Sequence, residues 1–450
     1  MTRERMPLWE APSASRPVEG TVSLPGSKSL TNRVLLLAAL GDRPVTVTGA
    51  LESDDSLAMR HALEQLGAGF EQTTGPEGGD ALRVTPVGLG PAPAAHRVID
   101  VNQAGTVMRF VPVVAALLPG TTDFTAHSSA TQRPMGPLVA ALRSAGVRVD
   151  PLGEDDDATH LPLRVTGIGT PSGELSFEVD ASSSSQFLSA LLLGVCAQSR
   201  PARIRHRGAR IPSRLHVEMT VQTLREFGAA VEETAPDEWL VTPPLRMPET
   251  VAIEPDLSNA GPFLAAAVVT GGTVRVPNWP LSTTQIGDRW RQILPQLGAS
   301  VSLEADGPDA ESLTGTLTVT GGERVLPAEV DDAAELAPVL AAMLALAEGE
   351  SRLTGIAHLR GHETDRIAAL AAEIRLLGAE AEETEDGLVL RGTASPQAAD
   401  HRSYHDHRMA TAAAVWGLKA PGTRVEAIGV TAKTMPDFPA AWDALVKTAR

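Results

Sequence analysis

The chain has 450 residues, enough for two or three domains, and its 43% hydrophobic and 21% charged content belongs to an ordinary globular protein. A formal net charge of −17 argues against nucleic acid or an anionic membrane surface as the main partner. A single cysteine, Cys196, excludes an internal disulfide and a cysteine-based zinc site, and its Leu-Leu-Leu-Gly-Val-Cys setting reads as a small buried hydrophobe rather than a nucleophile.

Taken in chain order, residues 1–20 lack the apolar core of a signal peptide and are too acidic for a transit peptide, so a cytoplasmic protein is expected, and a monomer. Three marks then recur about every 70 to 80 residues. Short apolar helices are predicted near residues 30–40, 104–118, 185–198, 259–270, 334–347 and 407–418. They are too short and too rich in alanine to span a bilayer, and apolar all round, so they read as core helices. A glycine that accepts the left-handed turn ending a helix stands at Gly67, Gly146, Gly228, Gly298 and Gly378. Short strands built on Leu-x-Val-Thr or a close variant follow at Leu82, Leu163, Leu240, Leu317 and Leu388.

Six helices against five copies of the other marks leave the last repeat incomplete, ending in a helix-like stretch over 438–450. The segment Thr21-Val-Ser-Leu24 is expected to supply its missing strand, joining the N-terminus to the C-terminal half. The shortest glycine spacing, from Gly228 to Gly298, falls by the proline-rich stretch 243–248. One crossing is expected there and the other near Pro25-Gly26. The expected organisation is α/β, in two pseudo-threefold lobes: 1–25 with 250–450, and 26–249.

Each apolar helix opens on a polar cluster: Ser27-Lys28-Ser29, Asn102-Gln103-Ala-Gly-Thr106, Ser182–Gln186, Asp256–Asn259, Asp331-Asp332 with Glu335, and His405–Arg408. Capping accounts for the Ser, Asp and Asn members singly. It does not call for Lys, Gln or Arg, nor for four serines in a row. Buried helix starts that gather cations make anion sites. Only four of the 38 basic residues are lysines, and Lys28 and Lys433 occupy Gly/Ser/Thr-rich strings suited to an oxyanion, whereas Lys419 and Lys447 look like surface residues.

The strings PGSKSLTNR, NQAGTVMRF, QRPMGPL, SSSSQFLSALL, HETDR, YHDHRMA and TAKTMPD resemble, in order and spacing, those of the 5-enolpyruvylshikimate-3-phosphate synthases, from about Val18 to Phe438. That resemblance implies the enolpyruvyl transferase fold, an inside-out α/β barrel with two lobes of three βαβαββ units and an active site in the cleft between them. It implies transfer of the enolpyruvyl group of phosphoenolpyruvate to the 5-hydroxyl of shikimate 3-phosphate, with release of phosphate and no metal or organic cofactor. By resemblance, Lys28, Ser29, Arg33, Ser184, Ser185, Gln186, Ser213, Glu335 and His362 would contact shikimate 3-phosphate. Lys28, Gly105, Arg133, Gln186, Arg366, Arg408 and Lys433 would surround phosphoenolpyruvate. The proton-transfer roles fall to Glu363 and Glu335, in either order, with Lys28 able to share them. Crowding by substrate anions would favour the protonated form of Glu363 and suit it as the acid.

Glu335, His362, His358, Gln103 and His216 depart from the residues most usual in that family: Asp, Lys, Asn, Asn and Tyr. Three rival readings are weaker. A same-fold transferase acting on UDP-N-acetylglucosamine typically places a cysteine over its site, which Cys196 in an apolar helix is unsuited to do. A P-loop fails on glycine and serine spacing around Lys28. A non-catalytic phosphometabolite-binding module would not need both Glu335 and Glu363.

Overall fold

The repeat can be built from residues 96–168. Strand His96–Asp100 leads into an apolar helix, Gly105–Leu117, and the chain returns as Pro119–Thr125 parallel to the first strand. A parallel return needs a crossover, and the apolar helix provides it on the buried side. A second, half-buried helix, Gly136–Ser144, follows, ending at Gly146 with φ +84°. The chain closes with the antiparallel pair Arg148–Pro151 and Leu163–Ile168, the latter inserting beside Pro119–Thr125. The Leu163 motif is therefore an inner strand paired on both edges. The other four motif strands take the same position in their sheets.

In this computed structural model, residues 6–90, 93–128, 130–153, 157–169, 175–307 and 313–449 are described. They form five four-stranded sheets and one three-stranded sheet, an α/β architecture of six repeats. The apolar helices of the six repeats are α1 (Lys28–Ala39), α2 (Gly105–Leu117), α3 (Ser185–Gly194), α4 (Gly261–Thr270), α5 (Ala337–Leu344) and α6 (His407–Gly417). The first three residues of the stretch predicted near 334–347 form a 3-10 turn, Ala334–Leu336, leading into α5. Gly67, Gly228, Gly298 and Gly378 all hold left-handed φ values between +86° and +100°, the conformation that glycine adopts without a Cβ penalty.

The chain forms two compact units, Met1–Pro25 with Glu254–Arg450, and Gly26–Ile253. In the Gly26–Ile253 unit α2 packs on α3 and α1 also meets α3, all buried. Strand Thr250–Ala252 runs parallel to Val45–Thr48 and completes the first repeat's sheet, so the crossing lies after Ile253, a few residues beyond the proline-rich stretch. In the other unit α4, α5 and α6 pack pairwise, and the Trp416 indole N–H donates to the Ala342 carbonyl at 3.1 Å.

The N-terminal segment corrects the expectation for Thr21–Leu24. Strand Glu19–Thr21 pairs in parallel with Thr273–Arg275 and serves the fourth repeat. The last repeat instead gains Leu8–Glu10, antiparallel to Arg424–Glu426. The reason is packing order: Val18, fully buried, leads directly into the fourth repeat's sheet, while Ala11 lies against Gly417 of α6. No helix among the described residues is long and apolar enough to cross a membrane. Cys196 is buried in the short turn after α3, and burial pushes its thiol up to about 12.

Candidate active site

In the Gly26–Ile253 unit the polar starts of α1, α2 and α3 carry most of the residues singled out from the sequence. Ser27 caps α1 by accepting the Leu30 N–H, and Ser184 caps α3 by accepting the Gln186 N–H at 3.3 Å. The Lys28 ammonium lies 3.3 Å from the buried Asp55 carboxylate, whose helix, Asp54–Gln65, follows in the same repeat. Arg33 is 2% exposed and spread over three donations: to Thr220 Oγ1 at 2.9 Å, to the Ser29 carbonyl at 3.0 Å and to the His216 carbonyl at 3.2 Å. Its guanidinium also lies over the Phe110 ring. Asn32 donates to Thr106 Oγ1 at 2.7 Å, tying α1 to the start of α2.

The start of α2 has no side-chain cap. Three polar groups surround Gly105 instead: a Cβ placed there would stand 3.2 Å from Arg109 Nη1, 3.5 Å from Gln186 Oε1 and 3.6 Å from Arg133 Nη1. Arg109 donates to Gln186 Oε1 at 3.0 Å and lies over the Phe187 ring. Arg133 donates to the Gln103 carbonyl at 2.9 Å, while its Nε is buried without a partner among the described residues. A cation-lined, uncapped helix start with a glycine for close approach has the chemistry to take a carboxylate or phosphate. Ser185 and Ser213 are buried, Ser213 in the left-handed conformation at φ +48°.

In the other unit Arg366, 2% exposed, opens the helix Arg366–Leu376 and joins three groups. Its Nε and Nη2 donate to the Asp406 carboxylate at 2.7 and 3.2 Å, its Nη2 donates to Glu363 Oε2 at 2.8 Å, and its Nη1 lies 3.1 Å from His362 Nδ1. The second Glu363 oxygen accepts from Lys433 Nζ at 2.7 Å. Lys433 ends the short helix Ile428–Lys433, and the next residue, Thr434, exchanges two hydrogen bonds with Asn259 ahead of α4, at 2.9 and 3.1 Å. Asp406 caps α6 through the Arg408 N–H at 2.8 Å. Glu335 lies in the turn before α5, close enough for its charge to act on Arg366 and His362.

The substrate-free electrostatics of Glu363 run towards ionisation. Burial raises its pKa, but Lys433 and Arg366, helped by His407 and His362, outweigh that and hold it well below the ordinary glutamate value. Without substrate it is a carboxylate. His362 is exposed at the surface, and lost hydration, then the Arg366 charge, set its pKa below the usual imidazole value. It stands neutral at pH 7, adding no charge where the family more often has lysine.

Arg109, Asp55 and the Asn259–Thr434 pair escaped sequence reasoning. Arg109 left one signal, a lone cation in the apolar run Val-Met-Arg-Phe-Val. Asp55 looks like any acidic residue in a first turn, and Lys433 lies 70 positions from Glu363, so neither contact has a local signature.

The EPSP synthase (3-phosphoshikimate 1-carboxyvinyltransferase) family profile matches residues 12–442. A 3-phosphoshikimate 1-carboxyvinyltransferase of Kocuria rhizophila is 50% identical over 447 residues, covering 98% of this chain and 96% of that one. Among solved structures, an EPSP synthase of Acinetobacter baumannii superposes with a TM-score of 0.76 at 24% identity, covering 97% of this chain and 98% of that one. The enolpyruvyl transferase NikO of Streptomyces tendae gives 0.71 at 17% identity, covering 98% of each chain. The two structures speak for the fold, and the profile with the half-identical relative speaks for more: the chain belongs to the EPSP synthase family.

Proposed function

We propose that this chain transfers the carboxyvinyl group of phosphoenolpyruvate to the 5-hydroxyl of shikimate 3-phosphate. The C2–O bond to phosphate breaks, a C2–O bond to the hydroxyl oxygen forms, and inorganic phosphate leaves. The observation that carries the reading is the Glu363 carboxylate, lodged between Lys433 and the buried Arg366. Two cations shared with one carboxylate can turn towards an incoming carboxylate and phosphate. As they turn, Glu363 loses what keeps it ionised and becomes able to hold a proton. The methylene carbon of phosphoenolpyruvate must gain a proton as the new bond forms and lose one as phosphate departs, so a carboxyl switching state in this way fits both steps.

Glu335 takes the hydroxyl proton. Lys28, Ser29 and Arg33 contact shikimate 3-phosphate, and Ser184, Ser185 and Ser213 hold its phosphate, which is bound but not transferred. Gly105, Arg133, Arg366, Arg408, Lys28 and Lys433 hold phosphoenolpyruvate, with Gln186 between the two substrates. Lysine provides a point charge that can follow charge onto the leaving phosphate, and Arg366 a bidentate fork. The working form is proposed to be a monomer in the cytoplasm.

The test follows inorganic phosphate and the carboxyvinyl product from purified chain given the substrates singly and together. Phosphate is expected only with both present. Turnover with UDP-N-acetylglucosamine in place of shikimate 3-phosphate would overturn the substrate assignment.

A further inference from the structure

The helix Arg366–Leu376 carries opposite charges two turns apart on one face, at Arg366 and Glu373. Both reach the same segment, residues 401–406. Glu373 is 1% exposed and takes three partners there. The Tyr404 hydroxyl donates to Oε1 at 2.7 Å, the Arg402 N–H donates to Oε2 at 3.3 Å, and His401 Nδ1 lies 2.9 Å from Oε2. Arg366 grips the far end through Asp406. Between the two grips, Tyr404 and His405 are left-handed in succession, with φ of 54° and 57°. Residues with a Cβ seldom adopt that conformation, and it persists only where the surroundings over-determine it. The Asp406 N–H donates to the Ser403 carbonyl at 2.8 Å, closing the turn.

We propose that Glu373 and Tyr404, the chain's only tyrosine, are positioning residues for the phosphoenolpyruvate cations. By clamping the left-handed turn they set Asp406 where it both orients Arg366 and caps α6 through the Arg408 N–H. The proposal rests on the assignment of Arg366 and Arg408 to phosphoenolpyruvate. A buried carboxylate is costly unless its oxygens are satisfied, and the partners of Glu373 all come from the one segment that leads into α6. That arrangement ties the site's geometry to a group with no need to touch substrate.

The test uses the full chain and Tyr404→Phe, which keeps the ring and removes one donor, with Glu373→Gln as the second variant. Both substrates are varied and phosphate release is followed. The expected result is a rise of about tenfold in KM for phosphoenolpyruvate, with KM for shikimate 3-phosphate within about twofold of the parent. Because the two residues form one clamp, the double variant should be little worse than the more severe single one. A merely structural role would lower the melting temperature or raise both KM values together, and either pattern without the split overturns the clamp. If Glu373→Gln does not fold, Tyr404→Phe decides alone. A parent chain that releases no phosphate overturns both readings, whereas a parent that turns over beside a Tyr404→Phe variant with unchanged constants overturns only this one.

Discussion

Lys28 and Lys433 each face a carboxylate that is largely shielded from water, Asp55 at 3.3 Å and Glu363 at 2.7 Å. Lys419 is exposed, and Lys447 makes a surface pair with Asp443 four residues earlier, a kind of contact worth little. Arginine keeps the charge but cannot place it at the same point, and a displacement of about 1 Å beside reacting atoms can cost on the order of 10²-fold in rate. Lys28→Arg and Lys433→Arg should therefore each lose at least about tenfold in kcat/KM, with Lys419→Arg and Lys447→Arg unchanged. Equal behaviour of all four would return Lys28 and Lys433 to the surface class. Glu363 provides a second residue-scale test. Its folded pKa lies below the unfolded value of about 4.3, so the unfolded chain binds the proton first as pH falls. The stability from its two ion pairs is complete above that value and is lost as pH drops through the folded pKa. Melting temperature should fall on acidification below about pH 4.3, and less steeply in Glu363→Gln; parallel curves would show that Glu363 contributes no such linkage.

At the scale of elements, the start of α2 depends on having no side chain at Gly105. In Gly105→Ala the new methyl would stand 3.2 Å from Arg109 Nη1, so the guanidinium must shift by a few tenths of an ångström, and with it the amide of Gln186. The helix itself gains a better helix former. Melting should thus hold or rise slightly, while KM for phosphoenolpyruvate increases by roughly tenfold. A variant with lowered melting and unchanged KM would make Gly105 a packing residue only. The same helix shows what the sequence does and does not carry. A long, mostly apolar run and a glycine after the following helix have one physical explanation each, so core helices, caps and motif strands were legible. Strand Leu8–Glu10 was not, because three residues without alternation carry no period and their pairing with Arg424–Glu426 spans the whole chain. Nor was the ionised state of Glu363: Arg366 and His362 lie within His-Glu-Thr-Asp-Arg, but Lys433, whose charge acts on it most strongly, comes from another repeat.

At the scale of the molecule, the two units are unequal in how the chain completes them. Residues 26–253 contain all three of their sheets, the last strand being Thr250–Ala252. Residues 254–450 lack Leu8–Glu10 and Glu19–Thr21, and with them the buried Ala11, Val18 and Val22. Two sheets would be left with exposed edges and an open core. A fragment of 26–253 should accordingly melt cooperatively by itself, and a fragment of 254–450 should not. The Ser15 N–H and hydroxyl both donate to the Ala449 carbonyl, so the N-terminal segment runs past the C-terminal helix. Appending residues 1–25 after 450 through a flexible linker should restore folding to the second fragment. Neither fragment should release phosphate, since Lys28, Arg33, Arg133 and Gln186 belong to one and Glu335, Glu363, Arg366, Arg408 and Lys433 to the other. Cooperative melting of 254–450 without the appended strands would show that the helix triad α4–α6 suffices for this unit, and turnover by either fragment alone would overturn the proposed residue roles.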